Sequence, residues 1–317
     1  MSYNFVSPLA QYTNQNVLPL ITKSLFDART ISLINKQVGL KGPSTLNLMS
    51  ETTSFAYGFG CGFTSNVGTN ATNFTQRTID IVDVKVYEAL CPKSLQQYWM
   101  QSQLPSGSML TTIPFEEQYA TMKVKAIQKA LETAVWTGTG ATGSITGFAK
   151  IILDAGVSDL NATAGSWTAL TLADLTGASA GANVIKMLNR IETNIPADIR
   201  GFDDVSIFCG MDMFTIIKQG LVAQNYFNVS YLNGVESYEL TLPGSNIRLI
   251  GVNGLNGTND LYFGRLSNFY FGTDLLGEEE KFEIFYAKEA DEVRFMCEFK
   301  AGVQVAFTDQ VGRFMIA

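Results

Sequence analysis

The chain has 317 residues, long enough for two compact units or for one elongated protein with an inserted domain. Only 16% of them are charged against 46% hydrophobic, where a typical soluble domain carries about 25% charged, so part of the surface reads as covered by other subunits. A net charge of −7 without a lysine or arginine run excludes a basic groove for phosphates, and the absence of histidine excludes Ser-His-Asp and Cys-His hydrolases, His-ligated metals and imidazole acid–base chemistry.

In chain order, the first fifty residues carry Pro8, Pro19 and Pro43 among apolar clusters at Leu18, Leu20 and Ile21, then Leu25 and Phe26, then Ile31, Leu33 and Ile34. They predict an extended apolar arm with a short helix near Leu20 to Asp27. From Thr53 to Phe63 the sequence alternates strictly, with Phe55, Tyr57, Phe59, Cys61 and Phe63 on one side and small residues on the other. Period two predicts a strand with one aromatic face. Asn66 to Asn73 reads as turn chemistry and Thr78 to Tyr87 as the returning strand, completing a long hairpin. An isolated hairpin is marginal in water, so its aromatic face is satisfied either within its own domain or on another surface.

A short helix is expected over Lys93 to Leu104, and a long one over Phe115 to Trp136. In the latter Phe115, Tyr119, Met122, Ala126, Ile127, Ala130, Leu131, Ala134 and Val135 step by three or four along one face, opposite Glu116, Glu117, Lys123, Lys125 and Lys129. Pro114 suits its first turn and Gly138 its stop. The Gly/Thr-rich stretch 137–148 lacks the GK[ST] ending of a phosphate loop and reads as a turn cluster. Residues 172–182 are small and polar. A helix over 183–195 ended by Pro196, a strand at 204–209, a helix at 211–225 and a strand at 247–252 then spell a separate α/β unit. The remainder is rich in strands, among them 291–300 and 302–308.

Nothing in this inventory makes a catalytic site. Glu116/Glu117 and Asp203/Asp204 are sequence neighbours, which point apart rather than across a cleft. Asp154, Asp159, Asp212 and Asp260 lack calcium-loop spacing, and Cys61, Cys91, Cys209 and Cys297 lack CxxC spacing. The expectation is a non-enzyme without metal or cofactor. No stretch of about 18 apolar residues runs unbroken, so no membrane span is expected.

The order of arm, long hairpin, long amphipathic helix, Gly/Thr loop, inserted α/β unit and terminal strands resembles the HK97-fold major capsid proteins of tailed bacteriophages. The stretches KVYEALCPKSLQQYW (85–99), IPFEEQYATMKVKAIQKALETAVWTGTG (113–140), LYFGRLSNFYFGTDL (261–275) and FKAGVQVAFTDQVGRF (299–314) are similar to those of such proteins, especially from phages infecting Bacteroidetes. The resemblance spans almost the whole chain through diffuse motifs. It implies an α+β fold with an N-terminal arm at 1–50, an E-loop hairpin at 51–80, a peripheral domain at 81–140 and 265–317 with a spine helix at 114–136, and an axial domain at 141–264.

It also implies a structural subunit that forms hexamers and pentamers of an icosahedral virion shell around double-stranded DNA held non-specifically, made in the bacterial host's cytoplasm. Portal, scaffolding and decoration proteins are the further partners, and an encapsulin-like nanocompartment shell is the alternative. The implied subunit interface comprises Phe55, Tyr57, Phe59 and Phe63 of the hairpin with Leu18, Leu20, Ile21, Leu25 and Phe26 of the arm. Some members weld subunits through a lysine in the E-loop, but residues 51–80 contain none, so no such crosslink is expected. The chain starts directly at its arm, so a separate scaffolding protein, or none, is expected.

Overall fold

The computed structural model describes residues 28–55, 71–90, 115–141, 143–224, 238–242, 244–274, 282–287, 289–290 and 292–316. The chain runs through helix α1 (Arg29–Leu33), strand β1 (Asn35–Gln37), the hairpin strands β2 (Ser44–Thr52) and β3 (Ala71–Ile79), and β4 (Val82–Leu90). The long helix α2 (Phe115–Thr137) and the short α3 (Phe148–Asp154) and α4 (Leu172–Thr176) follow, then α5 (Ala180–Asn194), β5 (Val205–Gly210), α6 (Met211–Ala223), β6 (Glu239–Thr241) and β7 (Arg248–Val252). The last elements are β8 (Leu261–Arg265), β9 (Phe269–Thr273), β10 (Phe282–Ala287), β11 (Glu292–Val305) and β12 (Gly312–Phe314).

Among the described residues these strands make three sheets. In the first, β11 is the axis: β4 pairs along one edge, β10 and then β9 along the other, and β1 adds to β9 in parallel. The second has the order β12-β8-β5-β7-β6, with β5 and β7 parallel across the α6 connection and the other pairs antiparallel. The third is the two-stranded β2/β3 hairpin.

Each large sheet has its own core. Ile127, Leu131, Val135 and Trp136 of α2 pack with α1, α3 and the first sheet, while α5 and α6 cover the second sheet with Val184, Met187, Ile191, Met213 and Ile217. Trp136 joins the two, its ring centroid 6.4 Å from Phe269 of the first sheet and 4.9 and 5.8 Å from Phe208 and Tyr262 of the second. Beyond it the chain turns tightly: the Gly138 amide donates to Ala134 O at 3.0 Å and that of Gly147 to Gly138 O at 2.9 Å, closing the Gly/Thr stretch as a turn.

Several expectations are corrected. The long helix lies where its periodicity puts it, but its apolar stripe is narrower than the spacing suggests. Ala126 and Ala130 are exposed and Met122 is 71% exposed, while Ile127, Leu131, Val135 and Trp136 are buried toward the C-terminal end. The hairpin's described ladder is Ser44–Thr52 with Ala71–Ile79, so pairing begins inside the stretch read as arm, and Thr53 to Phe55 belong to no regular element. The expected return strand from Thr78 to Tyr87 is two strands broken at Asp80–Ile81, one in the hairpin and one in the first sheet. The strands expected at 291–300 and 302–308 are a single β11 running through Gly302. Residues 172–182 contain α4, whose start is a capping box between Thr171 and Asp174. Finally β12 returns to the second sheet to pair with β8, a contact that chain order does not reveal. The expected helices near residues 20–27 and 93–104 lie outside the described residues.

Candidate assembly surface

The hairpin is where the capsid resemblance implies contacts with other copies, and its two ends differ. Directly opposed residues of an antiparallel ladder share a face. One face carries Leu46 opposite Arg77 and Ser44 opposite Ile79, and here the root meets the body. Leu46 and Ile79 are buried, and the Arg77 guanidinium donates to Val305 O at 3.1 Å and to Thr308 Oγ1 at 3.2 Å. Further out, the opposite face presents Met49 across from Phe74, with 60% and 78% of each exposed, and Phe55 beyond the ladder is 81% exposed. These three large apolar side chains, two on the ribbon and one beyond it, each forgo about 1.5–3 kcal/mol that burial would return.

Of the residues expected at the interface, Phe55 is exposed just beyond the end of β2. Tyr57, Phe59 and Phe63, and Leu18, Leu20, Ile21, Leu25 and Phe26 of the arm, lie outside the described residues. Met49 and Phe74 were not singled out by sequence. Met49 stands in a Thr/Asn/Leu stretch without aromatic alternation, and Phe74 follows a run that reads as turn chemistry.

The described start of the chain is latched to the long helix. Glu132, buried, accepts from the Thr30 amide at 3.2 Å and from the Thr30 hydroxyl, and the Trp136 indole donates to the same hydroxyl at 2.7 Å. Burial pushes the Glu132 carboxyl above its ordinary range, an effect that the Thr30 donors and the nearby Arg29 charge partly offset. Arg29 itself pairs with Glu239 at 3.2 Å, tying α1 to the second sheet.

A cleft of about 320 Å³ opens where the two cores join, lined by Thr137, Lys150, Asp260, Tyr262 and Arg313 among others. Burial raises Asp260 to about 6, with Asp159 adding to the shift while the Tyr262 hydroxyl, 3.5 Å away, and Arg313 oppose it. Asp204 is occupied structurally, bonded to Arg265 Nε at 2.9 Å and Ser267 Oγ at 2.7 Å, and Asp203 accepts from Asn246 at 3.0 Å. Cys209 and Cys297 are buried and form no disulfide. Among the described residues no group of three or more His, Cys, Asp or Glu could hold a metal ion, and no helix is long and apolar enough to cross a membrane.

No family model matches the chain, and neither does any curated protein sequence. Solved structures do match, capsids of phages and of a GTA particle among them. The satellite phage P4 procapsid including size determination (Sid) protein aligns with a TM-score of 0.57 at 10% identity, over 95% of this chain and 98% of that one. The capsid of Myoviridae phage XM1 aligns with a TM-score of 0.55 at 11% identity, over 92% of each. The capsid of an empty GTA particle aligns with a TM-score of 0.54 at 10% identity, over 92% of this chain and 90% of that one. The chain therefore has the fold of phage capsid proteins from near one end to the other, the fold that the sequence resemblance implies.

Proposed function

We propose that this chain is the major capsid subunit of a tailed bacteriophage, assembling with itself into the hexamers and pentamers of an icosahedral shell around double-stranded DNA. The observation that carries it is the capsid fold shared over more than nine-tenths of the chain, at lengths matching theirs. The exposed Met49 and Phe74 of the ribbon, with Phe55 beyond it, give that reading its physical driving force, burial on a neighbouring copy. Because the named neighbours are virus and GTA particle capsids, a virion shell is favoured over a nanocompartment. The role is structural rather than enzymatic. The subunit is made in the host cytoplasm and ends in the virion, with portal, scaffolding and decoration proteins as further partners.

In this reading the β2/β3 hairpin belongs to the E-loop, α2 is the spine of a peripheral domain built on the first sheet, and the second sheet with α5 and α6 is the axial domain. Residues 42–84 contain no lysine, so mature particles should run as a monomer band on a denaturing gel rather than as a covalent ladder. Electron microscopy of the purified protein tests the whole proposal. Closed particles of uniform diameter are expected, and dispersed small particles under every assembly condition would contradict it.

A further inference from the structure

The root of the hairpin rests on one face of one short segment of β11. Side chains at 300, 302 and 304 share a strand face, and each position touches the hairpin or its flanks. Lys300 Nζ donates to Lys41 O at 3.0 Å on the outgoing leg, and Gln304 Nε2 donates to Thr78 O at 2.6 Å on the returning leg. Between them lies Gly302, where a Cβ would sit 2.1 Å from Asp80 O and 3.2 Å from Ile81 Cα. Gly302 pairs across the ladder with Gly272, where a Cβ would come within 3.0 Å of Leu40 and 3.1 Å of Ile79. The opposite face of β11, Ala301, Val303 and Val305, is buried in the core.

We infer that the cross-strand pair Gly272/Gly302 is a seat that fixes the angle between hairpin and body, and that this angle is a determinant of shell diameter. The atom nearest the missing Cβ at Gly302 is a backbone oxygen, so no rotamer change relieves the collision and an added methyl must lift the break at Asp80–Ile81 away from the sheet. Hydrogen bonds on both legs then hold the root in the one orientation that the glycine pair permits. In a closed shell of identical copies, the direction in which an arm leaves its subunit sets the angle to the next, and small rotations change or abolish closure. Sequence alone starts a separate strand at Gly302; the close approach explains a glycine inside β11, where the strand continues unbroken beneath the hairpin.

The inference rests on the shell reading, and two measurements separate them. Hydrogen exchange over residues 77–83 and 300–305 in the unassembled subunit reports the seat, and particle diameter reports its consequence. Gly302→Ala is expected to fold, to exchange at least about tenfold faster over those residues, and to give particles of shifted or broadened diameter, or open sheets. Should Gly302→Ala fail to fold, Gln304→Ala and Arg77→Met take its place; they loosen the seat without adding bulk, with exchange about fivefold faster for each hydrogen bond lost and a broadened diameter. Wild-type exchange in a folded Gly302→Ala variant overturns the inference, as does faster exchange with an unchanged diameter. If the wild type forms no shells the shell reading falls with its curvature consequence, and the seat stands or falls on exchange alone.

Discussion

Strands β5 and β2 meet opposite fates. All six residues of β5 are buried, Val205, Ile207 and Cys209 under α5 and α6, and Phe208 against Trp136 on the other side. In β2 only Leu46 is buried, and Met49 stands in solvent opposite Phe74. The difference lies in coverage, because β5 has helices on one face and the long helix on the other, while β2 has a single partner strand. A strand finished within its own chain reports on folding, and one left half-covered is where the proposed assembly would be read.

Perturbations of the two regions should therefore separate stability from assembly. The largest stability loss is expected from Phe208→Ala, about 3–5 kcal/mol as for other buried aromatics, read by chemical denaturation; a cost below about 1 kcal/mol would break the claim that Trp136 and Phe208 join the two cores. Asp260→Asn, in the cleft between those cores, sharpens it through pH. A folded-state value near 6, above the ordinary 3.8, means that the folded chain favours the protonated form. This group's contribution to stability is complete below about pH 4 and is lost as pH rises through about 6. The variant should be more stable than wild type at pH 7 by about 1 kcal/mol, discounted for the solvent that still reaches the group, and the gain should vanish in acid; a pH-independent difference would contradict it. Thr171→Ala removes the α4 cap and should cost about 1 kcal/mol in the same assay. Smallest of all, Met49→Ala and Phe74→Ala should each change subunit stability by about 0.5 kcal/mol or less.

What the sequence made legible follows the same division. Periodicity located the long helix, β5, α6 and β7 because each buries a regular face within this chain. It did not show β2 or the first part of β3, which have little to bury: β2 falls in the stretch that reads as arm and residues 71–73 in the stretch that reads as turn chemistry, while the expected strand from Thr53 to Phe63 lies largely outside the described residues. Leu46 and Leu48, alternating with Thr45 and Asn47, were the period-two signal available for β2. The capping box at Thr171 and Asp174 was likewise present as a T-x-x-D pattern. The return of β12 to β8, the Glu132 latch on Thr30 and the close approach at Gly302 are contacts between distant segments, and no local pattern encodes them. The capsid resemblance, carried by order and phrasing along the whole chain, gave the fold where local patterns did not.

The most direct test of the account is sedimentation velocity, with electron microscopy of the same samples, on wild type and on the double variant Met49→Asp, Phe74→Asp. The account predicts shells from the wild type and, from the variant, only slowly sedimenting subunits or small oligomers with an unchanged thermal transition. Shells formed equally well by both proteins would contradict it.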